Sequence, residues 1–229
     1  MNNKLRAILN RICAVLFPPR CIMCHRLLPE VTVCHTCRSA LAEHAAAHID
    51  APPFVFEAYA PFYYEGAVRR AIIRLKFNRA AAYAAPLAEL MRECLEEHLL
   101  GRFDLITWVP ISKKRLRQRG YDQALLIAKC LADWFSIPLV STLTKVRDTP
   151  RQSTRNSASE RRANVLGVYA PTNADFQQKN ILLIDDVLTT GATISECART
   201  LKCAGAGKIF VLTTAKTGKQ KKRIENCAK

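Results

Sequence analysis

The chain is expected to be an α/β protein: a parallel sheet with helices on both faces, preceded by a small metal-binding module. Three observations lead there. From Asp104 onward, short apolar runs alternate with amphipathic stretches, as in a parallel sheet covered on both sides. The first forty residues carry two CxxC pairs. The length of 229 residues, 49% of them hydrophobic and 24% charged, suits one sizeable core with room for a small extra module. The boundary is expected near residue 50, giving a module over 1–50 and a main domain over 51–229.

At the N-terminus, Leu5, Ile8, Leu9, Ile12 and Leu16 recur at helical spacing up to Pro18 and Pro19. Asn10 and Arg11 interrupt the apolar run and no small-residue cleavage site follows, which argues against a signal peptide. This helix either packs on its own domain or docks on a membrane surface or a partner. No segment is oily and long enough to span a bilayer, so a soluble, cytoplasmic chain with reduced thiols is expected.

Cys21 and Cys24, then Cys34 and Cys37, form pairs separated by nine residues, the spacing of a four-thiolate zinc site. The two-residue gap turns both sulfurs of a pair toward one ion. Four protein ligands leave no open position, so the zinc would be structural; a redox role is the alternative. His25 and His35 stand beside a complete cysteine set, and most of the remaining cysteines are expected to be small buried hydrophobes.

The alanine-rich stretch ending at Pro52 and Pro53 reads as a linker or short helix, and FVFEAYAPFYYEG as a hairpin or edge strands. Two helices follow, with Val68, Ile72 and Leu75 on one face of the first, which also carries the basic residues Arg69, Arg70, Arg74, Lys76 and Arg79, and Leu87, Met91, Cys94, Leu95 and His98 on one face of the next. Then come strand LITWVP, helix YDQALLIAKCLADWF, strands PLVSTLTKV, VLGVYA and NILLIDDV, a helix from about Thr193 to Cys203, and strand KIFVLTTA.

Lys and Arg number 35 against 19 Asp and Glu, a net charge of +16, which favours a polyanionic partner. Much of the excess lies in KKRLRQR, RDTPRQSTRNSASERR and KTGKQKKR, segments that otherwise read as loops and a tail.

The stretch ILLIDDVLTTGAT runs from a central buried strand into a helix, the place where open parallel sheets bind ligands. Asn180–Ile184 would be the strand and Val187–Gly191 the turn. The amides of Leu188, Thr189, Thr190, Gly191, Ala192 and Thr193, with the helix dipole and the threonine hydroxyls, would cradle a phosphate. Two carboxylates beside a phosphate make sense only if the ligand also offers hydroxyls or a cation. A sugar 5-phosphate fits, with Asp185 and Asp186 on the ribose hydroxyls or on magnesium.

ILLIDDVLTTGAT resembles the phosphoribosyl diphosphate (PRPP) signature of type I phosphoribosyltransferases. Together with FPPRCIMC, RLKF, VPISKKRLRQRGYDQA and RQSTRNSASERRANVLGVY, it is similar over nearly the whole chain to the ComF family of competence proteins. The resemblance implies PRPP binding, with magnesium, through Asp185, Asp186, Val187, Leu188 and Thr189–Thr193. It places Ser112, Lys113, Lys114 and Arg115 at the pyrophosphate loop, and Arg151, Arg155, Arg161 and Arg162 in a flexible loop that closes over the site.

Two readings follow. In one, the chain is a cytoplasmic competence factor that handles incoming single-stranded DNA, uses PRPP or a nucleotide as a structural or regulatory element, and works with helicase-type partners implied by the family. In the other, it is a phosphoribosyltransferase of unidentified acceptor, with Asp185 and Asp186 as candidate catalytic groups. The sequence after Thr214 has no aromatic residue for an acceptor hood, which weakens the second reading; Tyr63, Tyr64 or Trp108 would have to serve.

Overall fold

A computed structural model describes residues 18–42, 48–77, 80–148 and 165–218. The expected first helix, Cys13, Arg79, the loop arginines Arg151, Arg155, Arg161 and Arg162, and Cys227 lie outside them.

After the cysteine-bearing turns comes helix α1 (His35–Ala42), followed by strands β1 (His48–Ile49), β2 (Glu57–Tyr59) and β3 (Phe62–Tyr63). Helices α2 (Gly66–Phe77) and α3 (Ala84–His98) lead to β4 (Leu105–Trp108), the short α4 (Lys113–Arg119) and α5 (Gln123–Phe135). The chain closes with β5 (Leu143–Lys145), β6 (Tyr169–Pro171), β7 (Ile181–Leu188), α6 (Ala192–Cys203) and β8 (Ile209–Lys216).

The main sheet runs β1-β2-β8-β7-β4, with β3 also on β8. All neighbours are parallel except β1, which joins β2 antiparallel at the edge. Strand β7 is central because Ile181, Leu182, Leu183 and Ile184 are fully buried, each side chain finding an apolar layer. Leu182 and Ile184 face the layer of α2, α3 and α5; Ile181 and Leu183 face that of α6, β5 and β6. Cys21, Ile22 and Met23 belong to the first layer, so the cysteine turns pack directly on the helices.

Two local expectations are corrected. FVFEAYAPFYYEG makes two short strands but no hairpin, and β2 is not an edge, since it lies between β1 and β8: β2 and β3 follow one register along β8, with Glu57 opposite Phe210 and Phe62 opposite Ala215. Pro61 separates them, since it has no N–H to give to the ladder. PLVSTLTKV is likewise broken. Leu139 makes a parallel bridge with Ile106, and the chain then leaves the sheet at Thr142, whose buried hydroxyl meets that of Thr107 at 2.7 Å. Leu143–Lys145 instead pairs antiparallel with Tyr169–Pro171 as a separate ribbon.

Candidate functional site

Strand β7 continues through Leu188, so Asp185, Asp186, Val187 and Leu188 are strand residues and the turn proper is Thr189–Gly191. The period of two then sends the adjacent carboxylates to opposite faces. Asp186 continues the side of Leu182 and Ile184 and meets Lys76 of α2, with Nζ 2.9 Å from Oδ1. Among the described residues, its buried Oδ2 has no hydrogen-bond partner. Asp185 accepts the Asp186 amide at 2.8 Å. Burial, and then the neighbouring Asp186 charge, push the Asp185 carboxyl up to about 8.

A cavity of about 650 Å³ opens at the carboxyl ends of β4 and β7. Among the described residues, four cations from three elements line it with the acidic pair: Lys76, Arg115, Arg119 and Lys145. Burial draws the Lys76 ammonium down, but the Asp186 carboxylate outweighs it and holds the group above its ordinary value. Burial, seconded by Arg115, holds Lys145 below its ordinary value. Arg119 is also lowered, mainly by burial. Such a concentration of positive charge around two carboxylates suits a ligand with several anionic oxygens and a hydroxyl-bearing or metal-bound portion.

Local sequence explains the placement of the arginines. Ser112 caps α4 by accepting the Arg115 amide at 3.3 Å, and Gly120 ends the helix in the left-handed region. Asp122 then accepts from the Ile111 amide at 2.9 Å and the Ala124 amide at 3.0 Å, tying the strand exit to the start of α5. Four residues apart, Arg115 and Arg119 share the cavity face, whereas Lys113, Lys114 and Arg117 are exposed and do not line it. Arg119 donates to Gln123 Oε1 and lies 5.5 Å from the Phe77 ring centroid. Lys145 lies 3.4 Å from the Tyr169 hydroxyl.

In the turn, Gly191 caps α6 at φ 75°, and a Cβ there would lie 2.9 Å from Pro52 Cγ. The first amides of the twelve-residue α6 point out from this end. Thr189 and Thr193 line the cavity; Thr190, Gly191 and Ala192 face a neighbouring depression with Pro52 and Phe54. Arg147 and Glu196 fasten the chain beside the cavity: Arg147 donates to the Leu166 and Gly167 carbonyls at 2.9 Å, and Glu196 accepts the Gly167 amide at 2.7 Å.

Sequence reasoning missed Arg119, Lys145, Tyr169 and Asp122, and counted Lys76 only among the basic residues of its helix. The lysine following buried Leu75 was the available sign for Lys76. Among the described residues, the aromatic ones on the cavity are Phe77 and Tyr169, not Tyr63, Tyr64 or Trp108.

The thiols of Cys21, Cys24, Cys34 and Cys37 all lie within 4.8 Å of one another, with Cys24 and Cys34 Sγ 3.7 Å apart. Zinc–sulfur bonds of about 2.3 Å in a tetrahedron give edges of about 3.8 Å, so the cluster could hold one zinc ion. The Cys34 amide donates to Cys21 Sγ at 3.4 Å, a supporting contact for a thiolate ligand.

Residues 122–229 match the phosphoribosyl transferase domain family. The chain is 29% identical over 201 residues to Competence protein F of Haemophilus influenzae, covering 83% of this chain and 87% of that one. It is 34% identical over 152 residues to DNA utilization protein YhgH of Salmonella typhi, covering 63% and 65%. Among solved structures, adenine phosphoribosyl transferase from Trypanosoma brucei aligns with a TM-score of 0.42 at 12% identity, covering 74% of each chain. With a stretch matching the phosphoribosyl transferase domain behind a four-cysteine cluster, the chain is similar to curated competence and DNA utilization proteins.

Proposed function

We propose that this chain is a competence factor that handles incoming single-stranded DNA and binds PRPP with magnesium in the cavity beside Asp185 and Asp186. The observation that carries the reading is the ring of Lys76, Arg115, Arg119 and Lys145 around two carboxylates at the carboxyl end of a parallel sheet. The cations suit the diphosphate, Asp185 and Asp186 the ribose hydroxyls and the metal, and Thr189–Thr193 the 5-phosphate. Exposed Arg69 and Arg70 on α2, with Lys113, Lys114 and Arg117 on α4, supply charge for a nucleic-acid backbone on the two helices that also line the cavity. The names of the relatives, competence and DNA utilization proteins, support the DNA role.

A second reading, phosphoribosyl transfer to an acceptor, is favoured by one observation: Phe77 and Tyr169 line the same cavity and could hold a ring beside the ribose. Magnesium would supply charge stabilisation for departing pyrophosphate. Calorimetric titration of the zinc-loaded protein with magnesium and PRPP, followed by a pyrophosphate-release assay with and without single-stranded DNA, separates the two. Binding without release supports the factor, and release that depends on an acceptor supports the enzyme. Absence of binding removes both.

A further inference from the structure

Four consecutive residues at the end of α2 each make a different long-range contact. Arg74 Nη1 donates to the carbonyls of Ile22 and Met23, each at 3.0 Å, and these are the two residues between Cys21 and Cys24. Leu75 is fully buried, and its carbonyl accepts from the Tyr121 hydroxyl. Lys76 pairs with Asp186 at 2.9 Å, and Phe77 lies beneath the Arg119 guanidinium. Beyond the helix, the Tyr83 hydroxyl also reaches the cysteine turn, 3.0 Å from His25 Nε2.

We propose that Arg74 and Lys76 are positioning residues that join the cysteine cluster to the acidic pair, so that zinc in the cluster sets how strongly the cavity takes up magnesium and PRPP. The link rests on the PRPP reading above. Arg74 is anchored to backbone carbonyls of a CxxC turn, whose geometry is fixed when one ion holds both thiolates. Two residues along the same helix, Lys76 neutralises a carboxylate that is 3% exposed and has one oxygen unpartnered among the described residues. A shift of α2 large enough to break the Lys76 contact leaves that charge buried and uncompensated, and so changes the charge the ligand meets. By reciprocity, ligand in the cavity makes the cluster hold its zinc more tightly.

The test uses the full-length, zinc-loaded chain and the variants Arg74→Met, Lys76→Met and the double variant. Zinc content and unfolding temperature are checked first, with Arg74→Lys in place of Arg74→Met if the latter does not fold. The expected result is a loss of PRPP affinity of about tenfold in Arg74→Met, although Arg74 does not line the cavity, in keeping with couplings of about 5- to 150-fold between distinct sites. The double variant should lose no more than Lys76→Met alone. Wild-type affinity within twofold in Arg74→Met, or losses that simply multiply, would overturn the link. A second readout is independent of PRPP: zinc extraction by a chromogenic chelator should quicken in Lys76→Met as well as in Arg74→Met. If wild type binds no PRPP, the functional reading fails, and the link stands or falls on that extraction rate. Wild-type release from Lys76→Met refutes it.

Discussion

Replacing Asp185 by Asn should stabilise the ligand-free protein, increasingly so as the pH rises. Burial and the Asp186 charge push the folded-state value of Asp185 up to about 8, whereas an unfolded aspartate ionises near 3.9. Below about pH 4 the group is neutral in both states and imposes no penalty. Between the two values the unfolded chain ionises while the folded chain keeps its proton, so stability falls by at most about 1.36 kcal/mol per pH unit until the folded group ionises too. From pH 5 to 8 that is at most about 4 kcal/mol, and water in the open cavity should reduce it to roughly 2 kcal/mol.

Asn preserves the oxygen that accepts the Asp186 amide at 2.8 Å, so the comparison isolates the charge. For a chain of this size, the gap in unfolding temperature between variant and wild type should widen by about 4–8 °C. Zinc-loaded protein without magnesium would be melted at pH 5, 6, 7 and 8 at constant ionic strength. A gap that stays constant across the series, or an Asn variant that is the less stable at pH 8, refutes the reasoning. The same variant should bind PRPP more weakly, since the carboxylate that costs stability is the one assigned to the ligand.

Cys34→Ser should lower bound zinc from one per chain to a fraction, measured by atomic emission, and reduce the unfolding temperature because Ile22 and Met23 are core residues. Gly191→Ala forces a side chain into a left-handed conformation and against Pro52; a loss of about 1–2 kcal/mol in thermal unfolding and weaker PRPP binding are expected. Wild-type values in both assays would contradict the tight turn. Single-stranded DNA affinity should fall steeply with salt, and Lys113→Ala with Lys114→Ala should reduce the slope of log K against log salt by about 1.4. An unchanged slope would move the DNA contact away from α4.

What was legible in the sequence follows from the range of each interaction. The cysteine cluster and the DDVLTTG turn are local: spacing alone brings the two thiols of a pair together, and strand, turn and helix succeed one another within one supersecondary unit. The cavity's cations are not local. Lys76, Arg119 and Lys145 come from three elements brought together by the parallel crossovers, and their sequence neighbours look like any solvated basic face. KKRLRQR shows the difficulty within one helix, because its seven residues include both cavity-facing Arg115 and Arg119 and exposed Lys113, Lys114 and Arg117, sorted only by the caps at Ser112 and Gly120.

The acidic pair shows the same division at the scale of a single peptide bond. Adjacent in sequence, Asp185 and Asp186 read as one motif with one role. On a strand buried on both sides they must part, Asp186 toward α2 and Lys76, Asp185 toward the layer of α6, Lys145 and Tyr169. One carboxylate is thereby paired with a lysine, and the other is pressed toward its neutral form. A ligand bridging the strand end would meet two differently placed acids: one engaged by Lys76, and on the other side a group that gives up its proton when magnesium or a further cation arrives.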